Sequence, residues 1–467
     1  MTTTAGVDAK AGPAPKHTAA FRQRRFMNWF PLGITYATFY MGRYNLNVAS
    51  STIMKNFSLS KAEFGTIATA GFWTYALSVI FNGPLADRFG GRKAILLAAV
   101  GTAALNLIIG LAFLSGWQTK VLVGLSLLYA VNQYFQSFGA LSIVKVNSHW
   151  FHVRERGVFG GIFGIMISSG YLLAFTVGGW ILAHYPWYCV FLVPSAAVAG
   201  MLCVDYFLIK DTPKEAGHPE INTGDATSSH VDKDKPVDLA YLVTHVFKNK
   251  TIQTLTAAEF CTGFVRQGLM LWFVPFLKEV HGVTPTAAGL TVQLFPDFAL
   301  FGHPISGACS YFYIATTGIT VGGVLGGLLC GWMSDKLFQS RRAPVAFIFY
   351  LGQIASLFLL GWTRDPLTAC FLIGFCCAWI FGVHGMLSGT ASMDFGGTKA
   401  AGTVAGLLDG VQYLASGLTG VVLGSMLDKY GWKIWTYSIM PFSLIGAVLM
   451  ITLWNATPKN TKVTLEA

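Results

Sequence analysis

This sequence predicts an all-α membrane protein of twelve transmembrane helices, arranged as two pseudo-symmetric six-helix halves. Three observations carry that expectation. The 467-residue chain is 53% hydrophobic and 11% charged, with a mean hydropathy of +0.54, more apolar surface than a soluble globular protein needs. It divides into about twelve apolar runs of roughly 18 residues or more, long enough to cross a bilayer. A polar stretch, Lys210 to Lys250, containing EINTGDATSSHVDKDK, separates six runs from six.

Taken in order, residues 1–25 read as a cytoplasmic tail. They are rich in Thr, Ala, Pro and Lys, lack the apolar core of a cleavable leader, and end in Arg22, Arg24 and Arg25. The first half, 26–209, holds expected spans at about 27–49, 64–85, 93–115, 120–147, 157–183 and 187–209. Residues 210–250 read as a mobile cytoplasmic linker, being too poor in apolar residues to bury a core. The second half, 251–456, holds spans at about 251–279, 310–333, 343–362, 366–392, 401–427 and 432–456, followed by a cytoplasmic tail, 457–467. His281 to Ser310 contains FPDFALFGHPISG, too broken by Pro and Gly for a spanning helix, and reads as an external loop or re-entrant turn. The 52 Gly and 36 Phe suit closely packed helices facing lipid.

The net charge of +11 invites a nucleic-acid reading, which its distribution excludes. With the N-terminus inside, the expected cytoplasmic segments carry 23 of the 32 Lys and Arg and the external loops carry 7. That asymmetry places both termini in the cytoplasm. The eight cysteines lie almost all within apolar runs and show no metal-ligand spacing, so they read as small packing residues. No metal or other cofactor is expected.

The remaining two basic residues are the informative ones. Arg43 lies mid-span in YATFYMGRYNLNVAS, Tyr36 to Ser50, and Arg266 is the only basic residue in the middle of the run from Thr251 to Val280. A charge at bilayer depth costs at least ~2.5–3.5 kcal/mol, so each should face a polar interior. One buried arginine in each half points to a clamp for a doubly charged anion, because a guanidinium stays protonated and its planar fork matches phosphate oxygens. Pairing with a buried acid is the alternative, and Glu259, seven residues before Arg266, is a possible partner. Tyr36 and Tyr40 fall on the Arg43 face, as hydroxyl donors to an anion or as packing. Asp409, in GLLDGVQYLASG, is a further intramembrane charge: a hydroxyl acceptor, a proton site, a counter-ion, or a residue near the cytoplasmic mouth. His384 reads more readily as a satisfied interior histidine than as a gate.

Two loops repeat. GPLADRFGGRK, Gly83 to Lys93, follows the second span and GWMSDKLFQSRR, Gly331 to Arg342, follows the eighth. Each has Asp four residues after Gly, then basic residues, so Asp87 and Asp335 should pair with basic groups at helix ends. The pattern resembles the loop between the second and third helices of the major facilitator superfamily, with Gly91 as the slight departure. That resemblance implies two halves rocking around a mid-membrane site. It also makes Gly83, Asp87, Arg88, Arg92, Gly331 and Asp335 a gating-loop motif and puts Arg43 and Arg266 at symmetry-related cavity positions.

Five further fragments, RERG (Arg154–Gly157), KDTPKEAG (Lys210–Gly217), GFVRQGLMLWFVPFLKEV (Gly263–Val280), LLCGWMSDKLF (Leu328–Phe338) and TKAAGTVAG (Thr398–Gly406), occur in the order seen in the organophosphate:phosphate antiporter family. The chain is similar to that family over roughly residues 20 to 455. The resemblance implies exchange of a phosphorylated organic anion (a sugar phosphate, glycerol-3-phosphate or phosphoglycerate) for inorganic phosphate, with Arg43 and Arg266 on the phosphate and Tyr36 and Tyr40 near it. It implies a carrier rather than an enzyme, acting as a monomer in a bacterial inner membrane, with no nucleic-acid partner. Four family positions differ: a lysine falls at Val79, a histidine at Ile167, a tyrosine at Gly263 and a glutamate near Thr320. These departures put glycerol-3-phosphate itself in doubt. The alternatives are a proton-coupled symporter of an organic carboxylate, with Asp409 or Glu259 carrying the proton, and a transporter-like sensor of sugar phosphate.

Overall fold

The computed structural model describes residues 17–152, 165, 166, 168–221, 248–286, 291–293, 298–300, 303–305, 308–339 and 341–456. The first half comprises α1 (Ala19–Val48), α2 (Ser50–Phe57), α3 (Lys61–Phe89), α4 (Gly91–Leu114), α5 (Val121–Trp150), a π-helical turn (Leu172–Val177) leading into α6 (Gly178–His184), and α7 (Cys189–Leu208). The second half comprises α8 (Lys250–His281), α9 (Tyr311–Lys336), α10 (Arg342–Trp362), α11 (Pro366–His384), α12 (Ser392–Tyr430) and α13 (Trp435–Thr452). The chain is a multi-pass membrane protein, with twelve spans in two halves.

Among the described residues nine helices are long and apolar enough to cross a membrane by composition alone. Helices α1 and α5 fall outside that set because of the polar residues they carry. Hydropathy averages a whole helix, whereas these two turn polar faces inward: Arg43, Asn45 and Asn47 on α1, and Asn132, Gln133, Gln136 and Ser137 on α5, are all buried. From Val265 to Leu277 every residue of α8 is buried, and on α1 every residue from Thr35 to Val48. The two arginine-bearing helices are therefore the central ones.

The chain departs from the expected boundaries at the end of the bundle where α1 begins and α13 ends. Helix α1 begins at Ala19, with the Thr18 hydroxyl accepting from the Phe21 amide, so Arg22, Arg24 and Arg25 are helical rather than part of a tail. Arg24 Nη2 donates to the Leu208 carbonyl at 2.8 Å, satisfying an end carbonyl of α7. Lys210–Ile221, expected within the linker, packs on the first half. Asp211 Oδ1 accepts from the Arg92 amide at 2.7 Å and so caps α4, while the Arg92 guanidinium donates to the Tyr206 carbonyl at 2.6 Å. Burial holds the Asp211 carboxyl above the usual carboxylate range, offset in part by that amide. Residues 222–247 lie outside the described residues.

The loop expected between α3 and α4 shrinks to Gly90. Its φ of 87° and ψ of 155° are open essentially to glycine alone, and a Cβ there would meet Asp211 Oδ2. At Gly91 a Cβ would sit 2.7 Å from Val146 Cγ2, so the departure from the loop pattern serves α4–α5 packing. Asp335 pairs with Arg342 at 2.8 Å, as its loop pattern predicts. Arg88 is exposed in the last turn of α3, and the Asp87 side chain lies outside the described residues. A Cβ at Gly83 or Gly331 would meet nothing within 4 Å, so neither glycine is sterically required here.

Two other segments differ from the reading. The stretch between α8 and α9 forms two short antiparallel pairs, β1 (Thr291–Gln293) with β4 (Ala308–Ser310) and β2 (Phe298–Leu300) with β3 (His303–Ile305). Proline and glycine bar a spanning helix but not a short edge strand. The break expected near 393–400 is absent: α11 passes through the π-helical Gly385–Ala391 directly into α12.

Gly90→Ala is expected to lower unfolding stability by about 1–3 kcal/mol, and Asp211→Ala by about 1 kcal/mol. Gly83→Ala and Gly331→Ala are expected to stay within about 0.5 kcal/mol of the parent. Thermal unfolding in detergent, measured on all four, checks the ranking.

Candidate functional site

Arg43 owes its position to a buried amide lattice. The Gly42 carbonyl accepts from Asn132 Nδ2 at 2.9 Å, and Asn45 Nδ2 donates to Asn106 Oδ1 at 2.6 Å. The Tyr129 hydroxyl donates to the Arg43 carbonyl at 2.9 Å. These bonds tie α1 to α4 and α5, and glycine precedes Arg43 because a Cβ would sit 2.8 Å from Asn106 Nδ2.

The Arg43 side chain is 1% exposed. Its Nε donates to Gln136 Oε1 at 2.8 Å and its Nη1 to the Tyr413 hydroxyl at 3.2 Å. The guanidinium carbon lies 5.1 Å from the Tyr40 ring centre and 4.9 Å from that of Tyr75, within cation–π range. Arg266 is 4% exposed, with its guanidinium carbon 5.3 Å from the Tyr413 ring. Tyr413, on α12, thus receives one arginine on its hydroxyl and the other on its ring, and the two halves meet around it.

Among the described residues neither guanidinium pairs with a carboxylate. Arg43 Nη2, Arg266 Nε and Nη2, and Gln136 Nε2 are buried donors with no hydrogen-bond partner among the described residues. Each such donor costs about 1–3 kcal/mol or more when charged. A group of four donors carrying two positive charges suits an anion with several oxygens.

Glu259 is fully buried and does not pair with Arg266. Its Oε2 accepts from Gln412 Nε2 at 3.2 Å and lies 3.6 Å from His384 Nδ1, which stands 2.7 Å from Gln412 Nε2. Asp409, half-buried one turn before Tyr413, forms no hydrogen bond or ion pair among the described residues. Its charge lies within electrostatic reach of His384, Arg266 and Arg43. Tyr36 is buried against Tyr40, ring centres 5.5 Å apart, and Tyr40 also stacks edge-on against Tyr171 at 4.9 Å.

The structure therefore brings together Arg43, Arg266, Tyr36, Tyr40 and Asp409, and leaves the loop residues Gly83, Arg88, Arg92, Gly331 and Asp335 at the helix ends. Sequence reasoning missed Gln136, Tyr75, Gln412 and Tyr413. Two were accessible: Tyr413 follows Asp409 by four residues on one helix face, and Gln136 belongs to a run of amides in an apolar span. At Gly263 the expected tyrosine has no room, since a Cβ would meet the Gln412 carbonyl where α8 and α12 touch. Thr320 is half-buried, with its hydroxyl 3.5 Å from the Thr316 carbonyl of its own helix, Val79 is buried in α3, and Ile167 lies outside the described residues.

The family profile described as Major Facilitator Superfamily matches residues 32–419. Among curated relatives, a probable hexose phosphate transport protein of Chlamydia pneumoniae is 24% identical, covering 95% of this chain and 94% of its own. The glycerol-3-phosphate transporter of Bacillus subtilis is 27% identical over 94% of each chain. The membrane sensor protein UhpC of Escherichia coli is 26% identical over 94% of this chain and 95% of its own. Among solved structures, a bacterial homologue of the human lysosomal transporter Spinster, inward-facing and unoccupied, superposes with a TM-score of 0.69 at 17% identity, covering 93% of this chain and 97% of its own.

Gln136→Leu is expected to cost about 1.5–3 kcal/mol, because Arg43 Nε loses its acceptor at a buried charge. Gln136→Glu, which supplies a counter-charge at the same place, is expected to be no less stable than the parent. Unfolding of both variants in detergent tests the pair.

Proposed function

We propose that this chain, which belongs to the Major Facilitator Superfamily, exchanges a phosphorylated organic anion for inorganic phosphate by alternating access, with Arg43 and Arg266 holding the phosphate. The observation that carries this reading is the set of four unpartnered buried donors around Tyr413, one guanidinium from each half. A phosphate monoester carries about −1.5 to −2 charge near neutral pH. It would neutralise both arginines and offer an acceptor to every free donor. The relatives named as hexose phosphate and glycerol-3-phosphate transporters point to the same substrate class.

Obligatory exchange follows from the electrostatics. An empty site leaves two positive charges in a low-dielectric chamber, and reorienting it in that state is costly. A bound dianion removes the cost, so one anion must replace another. Tyr36, Tyr40, Tyr75 and Gln136 orient the phosphate end, while Asp409 and His384, both partly exposed, would face the organic part of the substrate. We assign both termini, and the end carrying Arg92, Asp211 and Asp335, to the cytoplasm of a bacterial inner membrane, and the end carrying Lys61 and Asp428 to the outside. The working unit is the monomer.

A second reading is favoured by one relative, the sensor protein UhpC: binding of a sugar phosphate reported to a partner, without flux. Counterflow in vesicles separates the two, since a sensor binds and does not exchange. A proton-coupled carboxylate symporter would be driven by a pH gradient instead.

Arg43→Lys and Arg266→Lys keep the charge and lose the fork. Each is expected to reduce phosphate homoexchange in reconstituted vesicles by about 10- to 100-fold, the loss of one or more charge-assisted hydrogen bonds. Normal exchange by either variant overturns the proposal. The second ionisation of a phosphate monoester lies near pH ~6, so the apparent affinity is expected to fall as pH drops below that value on the substrate side. A symporter would show the opposite sign, with uptake rising as the external pH falls.

A further inference from the structure

The inter-half contacts described above lie at the level of the arginines or toward the Lys61 end. There Lys61, at the start of α3, meets three residues of the second half. Its Nζ lies 3.0 Å from Glu279 Oε2 at the end of α8, and 5.3 Å from the ring centre of Trp432. Trp432 Nε1 donates to the same Glu279 oxygen at 2.7 Å. The Lys61 amide donates to Asp428 Oδ1 at 3.0 Å and the Ala62 amide to Asp428 Oδ2 at 2.8 Å.

The amides of this helix start divide between two sources. The Ser60 hydroxyl accepts from the Glu63 amide at 3.1 Å, and Glu63 returns the bond to the Ser60 amide at 2.8 Å. That capping box leaves the first two helical amides open, and Asp428, at the end of α12, takes both. Helix α3 is thus capped half by its own sequence and half by the opposite half of the molecule. Below the cap the two helices touch backbone to backbone: a Cβ on Gly65 or Gly420 would meet the other's carbonyl. Further in, Thr69 Oγ1 donates to the Gly417 carbonyl at 2.6 Å and Trp73 Nε1 to the Leu414 carbonyl at 3.0 Å.

We propose that Asp428, Lys61, Glu279 and Trp432 form a latch that holds the external end of the chamber shut, and that parting of the Asp428 cap from α3 is the step that opens it. The proposal rests on the alternating-access reading of the chain. The chemistry suits a reversible lock. Asp428 is exposed and the Lys61–Glu279 pair is partly exposed, at 21% and 37% for the two side chains. Water can therefore take over each bond as it breaks, so that opening trades bonds rather than stranding buried charge. The dipole of α3 adds to the attraction for the carboxylate only while the two ends are in contact. At Gly65 and Gly420 the contact is backbone on backbone, so the ends nearest the cap can part without a side chain being withdrawn.

The test is hydrogen exchange of the full chain in lipid nanodiscs, without added anion. Asp428→Asn keeps the size of the side chain and removes its charge; Lys61→Met keeps the stem and the backbone amide and removes the contact with Glu279. Each is expected to speed exchange across residues 65–73 and 417–425 by about tenfold, the population shift of a lost helix cap. Peptides of the α4–α5 interface should be unchanged, and Asp428→Glu should restore most of the protection. Unchanged exchange at 65–73 and 417–425 overturns the latch, and so does an equal rise over the α4–α5 peptides, which would mark general destabilisation. The readout needs no substrate, so it fails independently of the phosphate exchange assay on the arginine variants.

Discussion

Two guanidinium groups buried at the centre of a membrane protein, sharing one tyrosine and without a carboxylate partner among the described residues, are the constraint around which this structure is built. Arg43 gives Tyr413 a hydrogen bond and Arg266 lies over its ring. A charge at that depth is tolerated only where protein surrounds it with polar or aromatic groups. The amides of α4 and α5, the tyrosines of α1 and α3 and the close approach of α8 to α12 meet that need. The helices carrying the arginines are accordingly the most enclosed ones, and the arginines remain short of acceptors.

The same arrangement explains the asymmetry of the bundle. On one side of the arginines the halves are joined by the α3–α12 contact, by Asn47 Nδ2 donating to the Met270 carbonyl at 3.1 Å, and by the cluster around Lys61. On the other side Asp409 and His384 are partly exposed. Among the described residues the named bonds between the halves lie at the arginines or toward the Lys61 end. Bonds within each half at the end away from Lys61, such as Asp211 on α4 and Asp335 with Arg342, keep each half rigid. A rocking mechanism needs such rigid bodies, with the changeable contacts confined to the surfaces between them.

The spans were legible because lipid imposes a length and an apolar composition on every helix that faces it. Arg43 and Arg266 were legible for the complementary reason, since a charge in an apolar run has few places to go. Boundaries were less so: Arg22, Arg24 and Arg25 look like a tail in sequence and are helical because the α7 end carbonyl at Leu208 engages Arg24. Asp211 looks like linker and is a helix cap, because its partner amide lies 119 residues away. The short strand pairs between α8 and α9 were hidden by the proline and glycine that excluded a helix.

What the sequence determined by itself was the membrane class, the division into halves and the two intramembrane arginines, all consequences of local composition acting against a bilayer. What only the tertiary structure decided was the company those arginines keep. Glu259 stands two turns from Arg266 on one helix and bonds instead to Gln412, while Tyr413, 370 residues from Arg43, lies between the two guanidinium groups. Hydrogen bonds act over about 3 Å, and which groups come within that range is set by how helices from opposite halves cross, which no local pattern in the chain encodes.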